Sequence, residues 1–165
     1  MSTQMADPHA GMESFQQCLL DGILDVAVVK PHKDLYSHFD VPAPGVGRLT
    51  YVRLRKDLKS VTAFLSCVMN GQIEGVPCIS FGYAVPEKMR NQGLAKQIFR
   101  DVIQDQVDKA GKAGHSAVYI EAVVDVTNTA SQRVSESVMA VQKEEIVDKV
   151  SKRPAYRYTK RFEIA

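Results

Sequence analysis

The run Arg90-Asn91-Gln92-Gly93-Leu94-Ala95-Lys96 carries the chemistry this sequence displays most openly. It lies between an apolar stretch that ends at Val85 and a helical pattern that begins at Leu94. At a helix start the first backbone N–H groups have no partner inside the helix, and the positive end of the macrodipole points the same way, so an anion is welcome there. Gly93 allows close approach without a Cβ, Ala95 is small, and Lys96 adds charge at the rim. A glycine between strand and helix has other uses. Neither the G-x-G-x-x-G of a dinucleotide fold nor the G-x-x-x-x-G-K-[ST] of a nucleoside triphosphate site is present.

Proton-transfer groups are more scattered. Glu121 sits inside SAVYIEAVV, whose apolar residues describe a strand buried on both faces. A carboxylate there is expected to have a raised pKa, as a base for an ammonium group requires, or else to be the structural partner of a Lys or Arg. Tyr83, Glu87 and Asp125 are second choices, each equally at home at a strand edge or in a loop. His32 and His38 fall in a proline-broken stretch, and Tyr156, Arg157, Tyr158 and Arg161 in the last strand. Either set could face an acceptor molecule or solvent. Cys18, Cys67 and Cys78 have no histidine at metal-ligand spacing, and any disulfide leaves one over, so they read as small core residues and no metal is expected.

The elements that must position these groups follow from periodicity. Phe15, Cys18, Leu19 and Ile23 predict a helix over residues 14–24, preceded by a flexible tail over residues 1–14, with VAVV a further candidate strand. Lys30 to Gly47, broken by Pro31, Pro42 and Pro44, reads as a long loop. RLTYVRL, VTAFLSCVM and CISFGYAV predict three successive antiparallel strands, with Asn70-Gly71 as the type I′ turn between the last two. Leu94, Ala95, Ile98, Phe99, Val102, Ile103 and Val107 form one helix face, with Lys96, Arg100, Asp101, Gln104 and Asp105 outside it. Strand, helix and strand in that order imply a right-handed crossover with two parallel strands. A second helix should begin after Asn128, a good N-cap, and EEIVDKV with YRYTKRFEI should close the sheet.

Arg90 to Ala95, directly after GYAVPEKM, resembles the R/Q-x-x-G-x-G/A signature of the GNAT superfamily of acyl-CoA-dependent N-acetyltransferases. IEAVVDVTNTASQRVSE resembles that family's next strand and helix, and the similarity extends from about Arg48 to Val141. The resemblance implies an α/β fold with a mixed central sheet, antiparallel in its first half, splayed at a parallel pair where acetyl-CoA enters, and flanked by helices. Tyr83, Ala84 and Val85 would present backbone groups to the pantetheine, with a Val85 N–H for the thioester oxygen. Arg90, Asn91, Gln92, Gly93, Leu94, Ala95 and Lys96 would wrap the pyrophosphate, and Asn128 and Ser131 would lie beside the cofactor arm. Many relatives carry glycine where this chain has Asn91, and asparagine best tolerates left-handed backbone among the other residues. Numerous members place a proton-donating tyrosine where this chain has Ser135, and Gly-Phe where it has Met139-Ala140. Ser135 or a water is then the candidate acid, and a thiol of pKa about 8.5 leaves tolerably without one.

Hydrophobic residues at 45% and charged residues at 24% suit one soluble domain, residues 15–165, rather than a disordered chain. A formal charge of +2 is too mild to imply nucleic acid. No apolar run spans a bilayer, and MSTQMADPHAGMES lacks the basic start and apolar core of a secretory signal, so a cytoplasmic protein is expected. The expectation for function is transfer of an acetyl or short acyl group from CoA to a primary amine, on a small molecule or a peptide, by direct attack. The competing expectation is a non-catalytic acyl-CoA-binding module. The N-terminal helix and strand offer a surface for a homodimer, and the acceptor is not named by any motif.

Overall fold

The computed structural model describes residues 7–149 and 151–165. Its first helix, α1 (Pro8–Leu20), starts earlier than periodicity predicts. Asp7 is the N-cap and accepts from the His9 N–H at 3.0 Å, and Pro8, which has no N–H to satisfy, takes the first helical position. Residues 8–13, expected as tail, are therefore helical, and the helix ends at Leu20 rather than running to Leu24. Residues 1–6 of the expected tail lie outside the described residues.

The strands are β1 (Ala27–Val28), β2 (Leu35–Ala43), β3 (Val46–Leu54), β4 (Val61–Ile73), β5 (Val76–Ala84), β6 (Ala117–Asp125), β7 (Glu144–Val147) and β8 (Pro154–Glu163). Helices α2 (Leu94–Lys112) and α3 (Thr129–Met139) complete the chain. The sheet order is β1-β2-β3-β4-β5-β6-β8-β7, antiparallel except for β5 and β6.

Two expectations fail here for local reasons. β2 occupies much of the stretch read as a loop: Tyr36, His38 and Asp40 pair with Val52, Thr50 and Arg48, and Pro42 sits where the register shifts between Asp40 and Ala43. A proline at a bulge breaks no ladder hydrogen bond, so it does not end the strand. Likewise Asn70-Gly71 is not the β4–β5 turn. The register shifts between Met69 and Gln72, Gly71 has φ +68°, and the strand continues to a two-residue turn at Glu74-Gly75, with φ +52° and +79°. Positive φ at both turn residues matches the strand twist, so Glu74 accepts a conformation that asparagine would adopt more easily.

Each face of the sheet carries its own core. Ile98, Phe99 and Val102 of α2 and Met139 of α3 pack with Tyr51, Leu65, Phe81, Ile120 and Ala122. Met12, Phe15 and Leu19 of α1 pack on the other face with Val52, Leu54, Val61 and Phe64. Asp105, placed by periodicity on the solvent side of α2, is buried and accepts from the Tyr51 hydroxyl, which also accepts from Gln106 at 2.6 Å. Lys109, one helical turn on, lies 3.3 Å from the same carboxylate, so the buried acid is both hydrogen-bonded and ion-paired.

One gap organises the functional end of the sheet. β5 stays paired to β4 as far as Phe64 opposite Ala84, and β6 stays paired to β8 as far as Asp125 opposite Ala155. The parallel ladder between them runs only from Cys78 opposite Tyr119 to Phe81 opposite Ala122. The two halves of the sheet therefore part between β5 and β6 while each remains internally bonded.

Candidate functional site

The gap is the mouth of a cavity of about 850 Å³. Its strand walls are Tyr83, Ala84 and Val85 on one side and Val123, Val124 and Asp125 on the other. Arg90, Asn91, Gly93, Leu94, Ala95 and Lys96 form one end, and Asn128 and Ser131 the other. Gln92 is exposed and is the one residue of that loop outside the wall.

Backbone conformation explains the residue types in the loop. Asn91 has φ +63° and Gly93 has φ +76°, both left-handed, which turns the chain sharply from β5 into α2. Gly93 is the N-cap of α2, and no side chain caps that helix. The other two helices are capped by side chains, α1 by Asp7 and α3 by Asn128, whose Oδ1 accepts from the Ser131 N–H at 3.1 Å. The α2 start thus faces the cavity with N–H groups that its own chain leaves available.

The opposite rim is held by carboxylate chemistry. Asp125 accepts from the Thr127 N–H at 2.8 Å and its hydroxyl at 2.7 Å, and pairs with Arg153 at 2.7 Å. These hydrogen bonds, with the Arg153 charge, hold its carboxyl below the usual range. Gln132 donates to the Asp125 and Val126 carbonyls at 3.2 and 2.9 Å, so the end of β6 and the start of α3 move as one piece.

No protein-family model and no curated protein matches this sequence. Solved structures do. The structure of AAC(6')-Ib in complex with ribostamycin and coenzyme A is 10% identical, with 68% of this chain and 63% of that one covered, at a TM-score of 0.54. An aminoglycoside N(6')acetyltransferase from Legionella pneumophila is 13% identical, with 69% and 62% covered, at 0.50. An acetyltransferase of the GNAT family from Bacillus anthracis is 14% identical, with 68% and 64% covered, at 0.47. The chain has the GNAT fold. It spans less than two thirds of the length of each of these three proteins.

Within the GNAT fold, several residues singled out from sequence fall away from the cavity. Glu121 is 4% exposed but does not line it. Ile120 and Ala122 belong to the core under α2, so the alternation of β6 turns Glu121 to the opposite face. There its Oε1 accepts from Asn70 at 3.1 Å, and Cys78 Sγ lies 3.9 Å from Oε2. Burial and that carboxylate push the Cys78 thiol up to about 12, which makes it an inert core residue. Ser135 is fully buried and likewise off the cavity wall. Its hydroxyl lies 2.5 Å from the Tyr83 oxygen, which also donates to the Ser131 carbonyl at 2.6 Å. The phenol of Tyr83 thus bridges from β5 to α3, and burial raises its pKa.

His32 lies 3.5 Å from Asp101 of α2, and His38 Nδ1 is 2.8 Å from the Asp25 carbonyl, so neither faces the cavity. Tyr156, Arg157, Tyr158 and Arg161 are also outside its wall; Arg157 pairs with Glu144 and Arg161 with Glu163. Sequence reasoning missed Asp7, Pro8 and His9, which form a wall from the α1 side, and Arg133, Ser151 and Arg153. The dipeptide Asp7-Pro8, an N-cap followed by proline, was a legible helix start. Arg153 had no local signal, because it arrives from the β7–β8 connection. No group of three or more His, Cys, Asp or Glu side chains suited to a metal occurs among the described residues.

Proposed function

We propose that this chain transfers an acetyl or other short acyl group from CoA to a primary amine. The observation that carries the reading is the parting of β5 from β6 at Phe81 and Ala122, with the uncapped start of α2 at one end of the resulting cavity. A slot between two parallel strands takes an extended pantetheine, and backbone N–H groups at a left-handed loop take a pyrophosphate. Gly93, Leu94, Ala95 and Lys96 serve the pyrophosphate in this reading, supported by Arg90 and Asn91. Tyr83, Ala84 and Val85 align the arm, with Asn128 and Ser131 opposite. Arg133 and Arg153 add positive charge for the remaining phosphate. Support also comes from the structures of AAC(6')-Ib solved with coenzyme A and with acetyl-CoA, which share the fold at TM-scores of 0.54.

In the reaction the uncharged amine attacks the thioester carbonyl carbon, the nitrogen loses a proton to water as the amide forms, the C–S bond breaks, and CoA leaves as a thiolate that takes up a proton. Donors near Val85 are the candidates for holding the developing oxyanion. With Ser135 buried against Tyr83 and off the cavity wall, its hydroxyl is not placed as the proton donor, and water is the natural source. That same observation favours a second reading, an acyl-CoA-binding module without turnover. Thiol release from acetyl-CoA decides between them, measured over a panel of alkyl monoamines, alkyl diamines, amino-acid amides and a lysine-bearing peptide. Release dependent on one amine class is expected. Micromolar CoA binding with no release from any amine would establish the module instead.

A further inference from the structure

A second, smaller groove of about 420 Å³ runs along the α1 side of the molecule, lined by His9, Met12, Glu13, Gln16, Pro86 and Glu87, among others. His9 lines both this groove and the main cavity. Among the described residues it is the one common to the two, and it stands beside the loop that follows Val85. Gln16 is committed elsewhere, accepting from the Val61 N–H at 2.8 Å and donating to the Lys59 carbonyl. The histidine is not. Its Nε2 lies 3.0 Å from Glu13 Oε1, one helical turn on. A carboxylate only accepts, so in the neutral ring Nε2 carries the hydrogen and Nδ1 carries the lone pair. Nδ1 is shielded from solvent and has no hydrogen-bond partner among the described residues, although the side chain as a whole is 41% exposed.

A carboxylate that fixes the tautomer of a histidine, whose other nitrogen has no competing donor, is the arrangement a base needs. We propose that His9, oriented by Glu13, takes the proton from the acceptor ammonium group, and that the acceptor reaches the cavity along the groove between α1 and the Pro86–Glu87 turn. The groove has Met12 and Val61 as apolar surface and Glu13 and Glu87 as its acids, with no lysine or arginine among the described residues of its wall. It suits an alkyl chain bearing a primary amine. A rotation of the half-exposed ring about Cβ–Cγ brings Nδ1 to the acceptor and gives up the Glu13 contact that set its resting tautomer; R–NH₃⁺ then gives one proton to Nδ1, and the freed lone pair attacks the thioester. The C–S pair leaves on sulfur, the attacking nitrogen, which still carries two hydrogens, gives one of them to the thiolate or to water, and the imidazolium returns the first proton to solvent. The proposal rests on the acyltransferase reading above. It moves the base from Glu121, on β6 and off the cavity, to a residue of the first helix.

The charged residues that line the groove and the cavity with His9 are the N-cap Asp7 and Glu13 of α1, Glu87, Arg90 and Lys96 after β5, and Asp125, Arg133 and Arg153 across the cavity. The test compares wild type with His9→Gln and Glu13→Gln, using acetyl-CoA and the amine panel, with CoA binding measured by calorimetry. For alkyl amines His9→Gln is expected to lower kcat by about 100-fold, to remove the acidic limb of its pH profile, and to leave the Kd for CoA within twofold. Glu13→Gln should lower kcat less and keep that limb. Trifluoroethylamine, uncharged at neutral pH, needs no deprotonation before attack, and its acylation should be slowed far less by His9→Gln than that of butylamine. In wild type, ¹⁵N spectra of His9 should show Nδ1 shifting when butylamine is added to the CoA complex. Turnover in His9→Gln within threefold of wild type, with the same pH profile, overturns this proposal alone. No thiol release by wild type from any amine overturns the functional reading and this proposal with it.

Discussion

Gly93 carries more of the site than any neighbouring residue, for reasons of backbone and of space. At φ +76° an L side chain is strained, yet a Cβ there meets no atom of the protein within 4 Å. The two effects separate experimentally. Gly93→Ala should lower unfolding stability by about 1–2 kcal/mol, the cost of left-handed backbone, as read by urea denaturation. If the cavity holds CoA phosphates against that backbone, the same variant should also weaken CoA binding by about tenfold, or ~1.4 kcal/mol, by calorimetry. Loss of stability with unchanged affinity would show that the ligand does not approach Gly93. Asn91, at φ +63°, fills a left-handed position with the residue that accepts it best after glycine.

Among the elements, β5 and α3 are joined by one buried contact across the gap. The Tyr83 hydroxyl donates to the Ser131 carbonyl and meets the Ser135 hydroxyl, so the first turns of α3 hang on a strand they do not adjoin in the sheet. Tyr83→Phe and Ser135→Ala each leave a buried polar partner unmatched, and each should cost about 1–3 kcal/mol. The double variant should cost clearly less than the sum, because the second change removes the group the first left unpaired. Additive costs in denaturant titrations would mean the two hydroxyls do not interact. Both single variants should bind CoA more weakly through displacement of Asn128 and Ser131, which share the α3 start with the contact.

For the molecule as a whole, the sheet separates two cores with different duties. The α2 face supports the loop from Arg90 to Lys96, and the α1 face supports the wall made by Asp7, Pro8 and His9, with Pro8 packed close over Gly82. Phe15 anchors α1, edge-on to Phe64 with ring centroids 6.2 Å apart. Phe15→Ala should therefore lower stability by about 3–5 kcal/mol. At temperatures where it stays folded, it should raise KM for the amine more than the Kd for CoA. Equal effects on both substrates would argue that α1 is only a cover for the sheet.

Residue type and spacing along the chain were enough to locate α2, β6, α3 and the loop from Arg90 to Lys96. Each of these is decided by neighbours a few residues away: a helical stripe, an N-cap, a glycine at a left-handed φ that an L side chain resists. The same local rules misplaced Asn70-Gly71, because left-handed φ serves a bulge as well as a turn and only the pairing of β4 with β5 chooses between them. They missed β2 because Pro42 is harmful in a paired ladder and harmless at a bulge. Glu121 was legible as buried, but which face it served depended on where α2 packed. His9 belonged to a stretch without apolar periodicity, and it meets the site only because α1 folds back across Gly82. Sequence determined the half of the cavity built from one continuous strand, loop and helix. Tertiary structure decided the half built from segments far apart in the chain, since only packing across the sheet sets which of their side chains meet.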